Sequence, residues 1–161
     1  MGTVISEPLP WRALAYYSMT ETIQAVGVWF YSVSTQRYLY LMRNDEKHRG
    51  MWSLPGGKQE CGETLLESLS RECQEEIGVW PECIQLIPLE KFTTTDNYFT
   101  YHTFFAAISE EFVPVLNEEH IGWAWIISGE LPKPLHPGLR ATIKFNEIRQ
   151  KIGILEKSFM L

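Results

Sequence analysis

Three glutamates, Glu72, Glu75 and Glu76, follow Arg71 in a short run that ends at Gly78. At about 100° per residue they fall within one face of a helix. That face borders an apolar stripe at four-residue spacing, Leu65, Leu69, Cys73 and Ile77, which must point into a core. The acids therefore edge the buried side. The arrangement opposes helix stability in two ways. Glu72 and Glu76 are like charges at i,i+4, and Glu75 and Glu76 occupy the last turn, where the helix dipole disfavours anions. Together these cost about 1 to 2 kcal/mol at low salt. A hard divalent cation held by carboxylate oxygens would remove the repulsion. A solvated helix face is the plainer reading of any three glutamates. Here it is weakened by the preceding Pro55-Gly56-Gly57 turn, which lets backbone approach a ligand closely, and by Arg71, a cation one residue away.

The elements that must position these residues are legible in outline. Thr64 reads as the N-cap and Glu67, three residues on, completes a capping box, while Gly78 is placed as C-cap and Pro81 prevents continuation. Before the turn, Gln24 to Tyr31 and Tyr38 to Met42 are rich in β-branched and aromatic residues and are separated by Ser34-Thr35-Gln36-Arg37, the pattern of a hairpin. After the helix, Ile84 to Thr94 and Tyr98 to Ile108 flank the turn residues Asp96-Asn97, predicting a second hairpin. Trp123 to Ile127 reads as a short buried strand. A final helix is expected from about Leu139 to Lys151, beyond the proline-punctuated loop Pro132 to Pro137.

With 161 residues, 45% of them hydrophobic, the chain can fill one core, and we expect a single domain over residues 21–161 preceded by an arm, residues 1–20. The net charge of −6 argues against sequence-independent nucleic-acid binding, which draws on Lys and Arg neutralising phosphates. A small anionic substrate remains compatible when a bound cation supplies positive charge. Cys61, Cys73 and Cys83 are odd in number and lack the close pairs of a zinc ribbon or redox motif, so reduced thiols and a cytoplasmic location are expected. No stretch reaches membrane-spanning length, and no membrane association is expected. The start Met1-Gly2-Thr3-Val4-Ile5-Ser6 fits the loose myristoylation pattern, but no basic patch follows as a second anchor. His48, His102, His120 and His136 show no metal-ligand spacing and receive no catalytic role, although His136 is placed to line a pocket.

The acids and glycines resemble the signature box of the Nudix hydrolases, G-x5-E-x7-R-E-U-x-E-E-x-G-U with U a bulky apolar residue. Gly57, Glu63, Arg71, Glu72, Cys73, Glu75, Glu76, Gly78 and Val79 fill it in register, Cys73 standing where a larger aliphatic is usual. The order of hairpins and helices also suits that family's α/β/α sandwich, an α/β fold with a mixed β-sheet between helices. The resemblance implies that Glu72, Glu75 and Glu76, with the Gly57 carbonyl, hold one or more Mg²⁺ or Mn²⁺ ions. It implies that Glu63 holds water or orients its neighbours and that Arg71 fixes a glutamate rotamer. A general base is sought in a box glutamate such as Glu76, or in Glu118 or Glu119, where many members place a further acid.

Arg43, Arg49 and Lys58 flank the hairpin end and the turn and are candidates for the outer phosphates. Trp29, Tyr98 and Phe99 are candidates for base stacking, against a background in which aromatic residues on strands are more often core. The function implied is hydrolysis of a phosphoanhydride in a nucleoside diphosphate derivative, with (deoxy)nucleoside triphosphates favoured and sugar nucleotides next. The alternative is a catalytically silent Nudix-fold module that senses a nucleotide, and such modules usually show a damaged box. The substrate is then a small nucleotide, and a homodimer is compatible with the resemblance.

Overall fold

The computed structural model describes residues 22–160, so the expected arm, residues 1–20, and the myristoylation pattern lie outside the described residues. The chain runs β1 (Ile23–Ser32), β2 (Arg37–Arg43), β3 (Trp52–Ser53), β4 (Gly56–Lys58), α1 (Leu65–Ile77), β5 (Gln85–Thr93), β6 (Phe99–Ile108), β7 (His120–Ile127), α2 (Pro137–Lys144) and α3 (Asn146–Lys157). The strands form one mixed sheet.

Both expected hairpins form, but they differ in kind. β5 and β6 pair antiparallel over nearly their whole length. Their turn is closed by Asn97 in the left-handed region, φ 60°, and by Asp96, whose carboxylate accepts from the Tyr98 amide at 2.9 Å. β1 and β2 pair only at Tyr31–Tyr38 and Ser32–Arg37 before diverging. Each then finds another partner: β1 bonds β6 in parallel along all of Ile23–Ser32, and β2 bonds β7 in antiparallel register. The segment after β2 enters the resulting gap, where β4 pairs Val26 with Gly57 and Gly27 with Gly56. Only glycine fits at 56. Its φ is +155°, and a Cβ there would lie 2.0 Å from the Val26 carbonyl oxygen. Backbone is thereby delivered to the middle of the sheet, beside α1.

Alternation along β1 sends Val26, Val28 and Phe30 to one face, where they pack with Leu69, Cys73 and Ile77 of α1. Trp29 and Tyr31 point to the other, joining Tyr38, Tyr40 and Leu139, with Ile143, Ile148, Ile152 and Leu155 packed around them. Helices cover both faces, so the α/β/α sandwich expected from the resemblance is the arrangement observed. Among the described residues, no helix is long and apolar enough to cross a membrane.

Two expectations need correction. The short buried strand expected over Trp123 to Ile127 is β7, which starts at His120 and is exposed or half-buried along most of its length, with only His120 and Trp125 buried. The single C-terminal helix over Leu139 to Lys151 is two helices, broken at Phe145, whose φ of −75° and ψ of 120° are extended. α2 starts earlier because His136 caps it, Nδ1 accepting from the Gly138 amide at 3.0 Å, with Pro137 at the first helical position. The break lets Leu139 and Thr142 of α2 be buried while α3 independently lays Ile148, Ile152 and Leu155 on the same core.

A buried acid cluster beside an open cavity

The capping box predicted for α1 is present: Thr64 Oγ1 accepts from the Glu67 amide at 3.1 Å, and the Glu67 carboxylate accepts from the Thr64 amide at 3.4 Å. Gly78 ends the helix in the left-handed region. With both ends set, the apolar stripe fixes the rotation of the helix and the acids divide. Glu72 is 9% exposed and Glu76 only 4%, whereas Glu75 lies on the exposed side.

Arg71 organises one end of this group. Its Nε and Nη2 donate to the two Glu63 oxygens at 2.7 and 3.0 Å, Nη1 donates to Glu72 at 3.0 Å and to Glu75 at 3.3 Å, and Nη2 also reaches the Lys58 carbonyl at 3.0 Å. A planar, always-charged fork suits this many acceptors. Glu63 also accepts from the Glu60 amide and the Ser68 hydroxyl. The Arg71 guanidinium, ahead of these, holds the Glu63 carboxyl down at about 2. Burial pushes Glu72 upward, and Arg71 opposes that shift.

The other end of the group has no such cation. Among the described residues, no Lys or Arg nitrogen lies within ion-pairing distance of Glu76 or Glu119. Glu76 accepts from the Gly56 amide at 2.8 Å, a bond that locks its rotamer against the turn. Burial, with Glu119 and Glu72 nearby, raises the Glu76 carboxyl to about 9. Gly57 is equally tight against Glu72, since a Cβ there would lie 2.4 Å from the carboxylate. Glu119 is exposed at the edge of β7. One carboxylate oxygen each from Glu76 and Glu119 and one His120 nitrogen lie within 4.8 Å of one another. His120 is 6% exposed, and burial, aided by Arg43, lowers it to about 4, so the ring is neutral near pH 7. Oxygen donors and a neutral imidazole at this spacing fit a divalent cation.

Gly56 and Gly57 also line a cavity of about 440 Å³. Phe92, Phe99, Tyr101 and Phe145 contribute its aromatic surface, and Arg43 and His136 face it near the turn. Of the sequence candidates, Arg43, Phe99 and His136 thus border the cavity. Arg49 and Lys58 are exposed and outside its lining, as is Tyr98 at the β5–β6 turn. Trp29 sits in the core, its indole N–H donating to the Tyr40 hydroxyl at 3.2 Å. His120 carried no spacing signal. The only local hint was its place directly after Glu118-Glu119, at the start of β7.

The model of the NUDIX domain matches residues 21–144, most of the chain. The chain belongs to the NUDIX family. Related sequences include a Mycobacterium tuberculosis protein provisionally named 8-oxo-dGTP diphosphatase 3, 33% identical over 98 residues, 58% of this chain and 45% of that one. The rat asymmetrical bis(5'-nucleosyl)-tetraphosphatase is 34% identical over 100 residues, 58% of this chain and 65% of the rat protein. This NUDIX chain thus spans about half to two thirds of those relatives. A solved MutT NUDIX hydrolase from Burkholderia pseudomallei superposes with a TM-score of 0.64 at 22% identity, covering 81% of this chain and 98% of its own, which bears on the fold alone.

Proposed function

We propose that this chain hydrolyses a phosphoanhydride bond of a nucleoside diphosphate derivative with the help of Mg²⁺ or Mn²⁺, (deoxy)nucleoside triphosphates being the first substrates to test and sugar nucleotides the next. The observation that carries the reading is the gathering of Glu72 and Glu76, both buried, against the glycine turn that forms one wall of an aromatic cavity. A buried carboxylate with no cationic side chain beside it, as Glu76 is among the described residues, is costly, and a cavity of this size suits a nucleotide's base and sugar. The names of the related proteins, which include diphosphatases acting on nucleotides, support the same class.

In this reading Glu72, Glu76 and Glu119, with Glu75 and the Gly57 carbonyl, hold the cation. When bound, it screens the phosphate oxygens and eases deprotonation of the attacking water. The other roles belong to the chain itself. Arg71 keeps Glu63 and Glu72 in fixed rotamers by its fork of bonds. The Gly56 amide holds Glu76 in place. Glu119, exposed at the edge of the site, takes the proton from water, with Glu76 as the competing base. Arg43 faces the phosphates at the mouth of the cavity, where Arg49 and Lys58 give more distant positive charge, while Phe99 and Tyr101 meet the base.

Chromatographic product analysis tests the reading, on nucleoside triphosphates, oxidised dGTP, ADP-ribose, dinucleoside polyphosphates and sugar nucleotides, with Mg²⁺, Mn²⁺ or chelator. Metal-dependent release of a nucleoside monophosphate is expected. Tight nucleotide binding without turnover across the panel would replace the enzyme by a sensing module.

A further inference from the structure

His120 is the one buried histidine of the described residues with a ring nitrogen left without a partner. Its Nδ1 is fully enclosed and makes no hydrogen bond, although a buried polar atom ordinarily finds one. The ring opens β7, where His120 pairs with Arg43 across the sheet, and the fold brings its imidazole to the carboxylates of Glu76 and Glu119, neither of which is ion-paired with Arg71. The charged groups facing it are Arg43, Asp45 and Glu119. Arg43 is itself tied to Asp45 by an ion pair of 2.5 Å, which leaves Glu119 and Glu76 as the uncompensated neighbours.

We propose that His120 is a metal ligand, which with Glu76 and Glu119 makes a mixed imidazole–carboxylate site selecting a transition-metal ion such as Mn²⁺ over Mg²⁺. This goes beyond the proposed hydrolase, on which it rests, because the acids of the box would hold either ion. Three arguments support it. First, the geometry is nearly closed. Ligands about 2.1 Å from one ion lie no more than about 4.2 Å apart. The three donor atoms lie within 4.8 Å of one another, and the exposed Glu119 side chain can take up any excess over that limit. Second, an imidazole nitrogen favours first-row transition metals, Mn²⁺ the weakest of them, whereas Mg²⁺ favours oxygen and water. Third, coordination through Nδ1 would give that orphaned atom a partner, and coordination through either nitrogen would relieve two adjacent acids, one of them 4% exposed.

The test is electron paramagnetic resonance of Mn²⁺ added to the 161-residue chain, with pulsed detection of ¹⁴N coupling to the bound ion, together with titrations of Mn²⁺ and Mg²⁺ into the wild type and His120→Gln. An imidazole-sized ¹⁴N coupling is expected in the wild type and not in His120→Gln. The substitution should weaken Mn²⁺ about tenfold or more and change Mg²⁺ binding less than about twofold. Mn²⁺ bound without ¹⁴N coupling in the wild type would overturn the assignment of His120 while leaving the metal-dependent hydrolase intact. An absence of Mn²⁺ and Mg²⁺ binding would overturn both. Where His120→Gln fails to fold, His120→Asn serves in its place, and wild-type coupling that persists in the folded variant would overturn the assignment of His120.

Discussion

The two ends of the acid cluster are built oppositely. At the Arg71 end, Glu63, buried Glu72 and exposed Glu75 surround the guanidinium, every short contact is charge-compensated, and Glu63 stays ionised far below neutral pH. At the buried end, Glu76 meets Glu119 and a neutral histidine, with one backbone amide as its sole donor among the described hydrogen bonds. The first arrangement is charge-balanced before any ion binds, and Arg71 sets the rotamers of Glu63 and Glu72. The second carries more acceptor capacity than the protein itself satisfies, which is what a cation site requires before its ion arrives.

The comparison is broken most severely at Glu76. Glu76→Gln should keep the fold, since the amide oxygen can still accept from Gly56, while hydrolysis falls at least about a hundredfold. Steady-state rates beside a far-ultraviolet spectrum check this, and unchanged rates would remove Glu76 from the chemistry. Gly57→Ala should come next. Its Cβ must displace the Glu72 carboxylate, so turnover is expected to fall at least about tenfold with a smaller change in substrate KM. At the charge-balanced end, Arg71→Lys keeps a charge but loses the fork that grips Glu63 and Glu72 together. A loss of about tenfold in kcat, with metal affinity also weakened, is the expected result.

The smallest effect is on stability. The folded carboxyl of Glu76 titrates near 9 against about 4.5 when unfolded, so the metal-free folded state holds the extra proton between those values. The stabilisation is complete below about pH 4.5 and is lost as pH rises toward 9. His120 acts oppositely, but only below about 6.5, because its folded value is depressed to about 4. Between pH 7 and 9 the metal-free chain should therefore lose up to about 1.4 kcal/mol per pH unit. Denaturant titrations at three pH values would show the slope, and Glu76→Gln should flatten it.

Much of the Arg71 half of the site could be read before folding. The box spacing, the capping pair Thr64 and Glu67 and the stripe through Ile77 are local, and local signals specify a helix and its rotation. The contribution of His120 is not local. It depends on β2 leaving β1 for β7, a pairing set by tertiary packing of strands that read alike in one dimension. β3 and β4 escaped for a related reason: two and three residues, placed by the gap between diverging strands, carry no period. The break at Phe145 has neither glycine nor proline to mark it, so a continuous helical pattern concealed two helices.

Calorimetric titration of Mg²⁺ into the metal-free wild type and Glu76→Gln near pH 7, repeated in buffers of different ionisation enthalpy, tests the difference between the two ends most directly. Binding that releases about one proton in the wild type, and that is at least about tenfold weaker with the release abolished in the variant, is predicted. Equal affinity and equal proton release in the two proteins would contradict it, placing the cation elsewhere and leaving the buried end without its purpose.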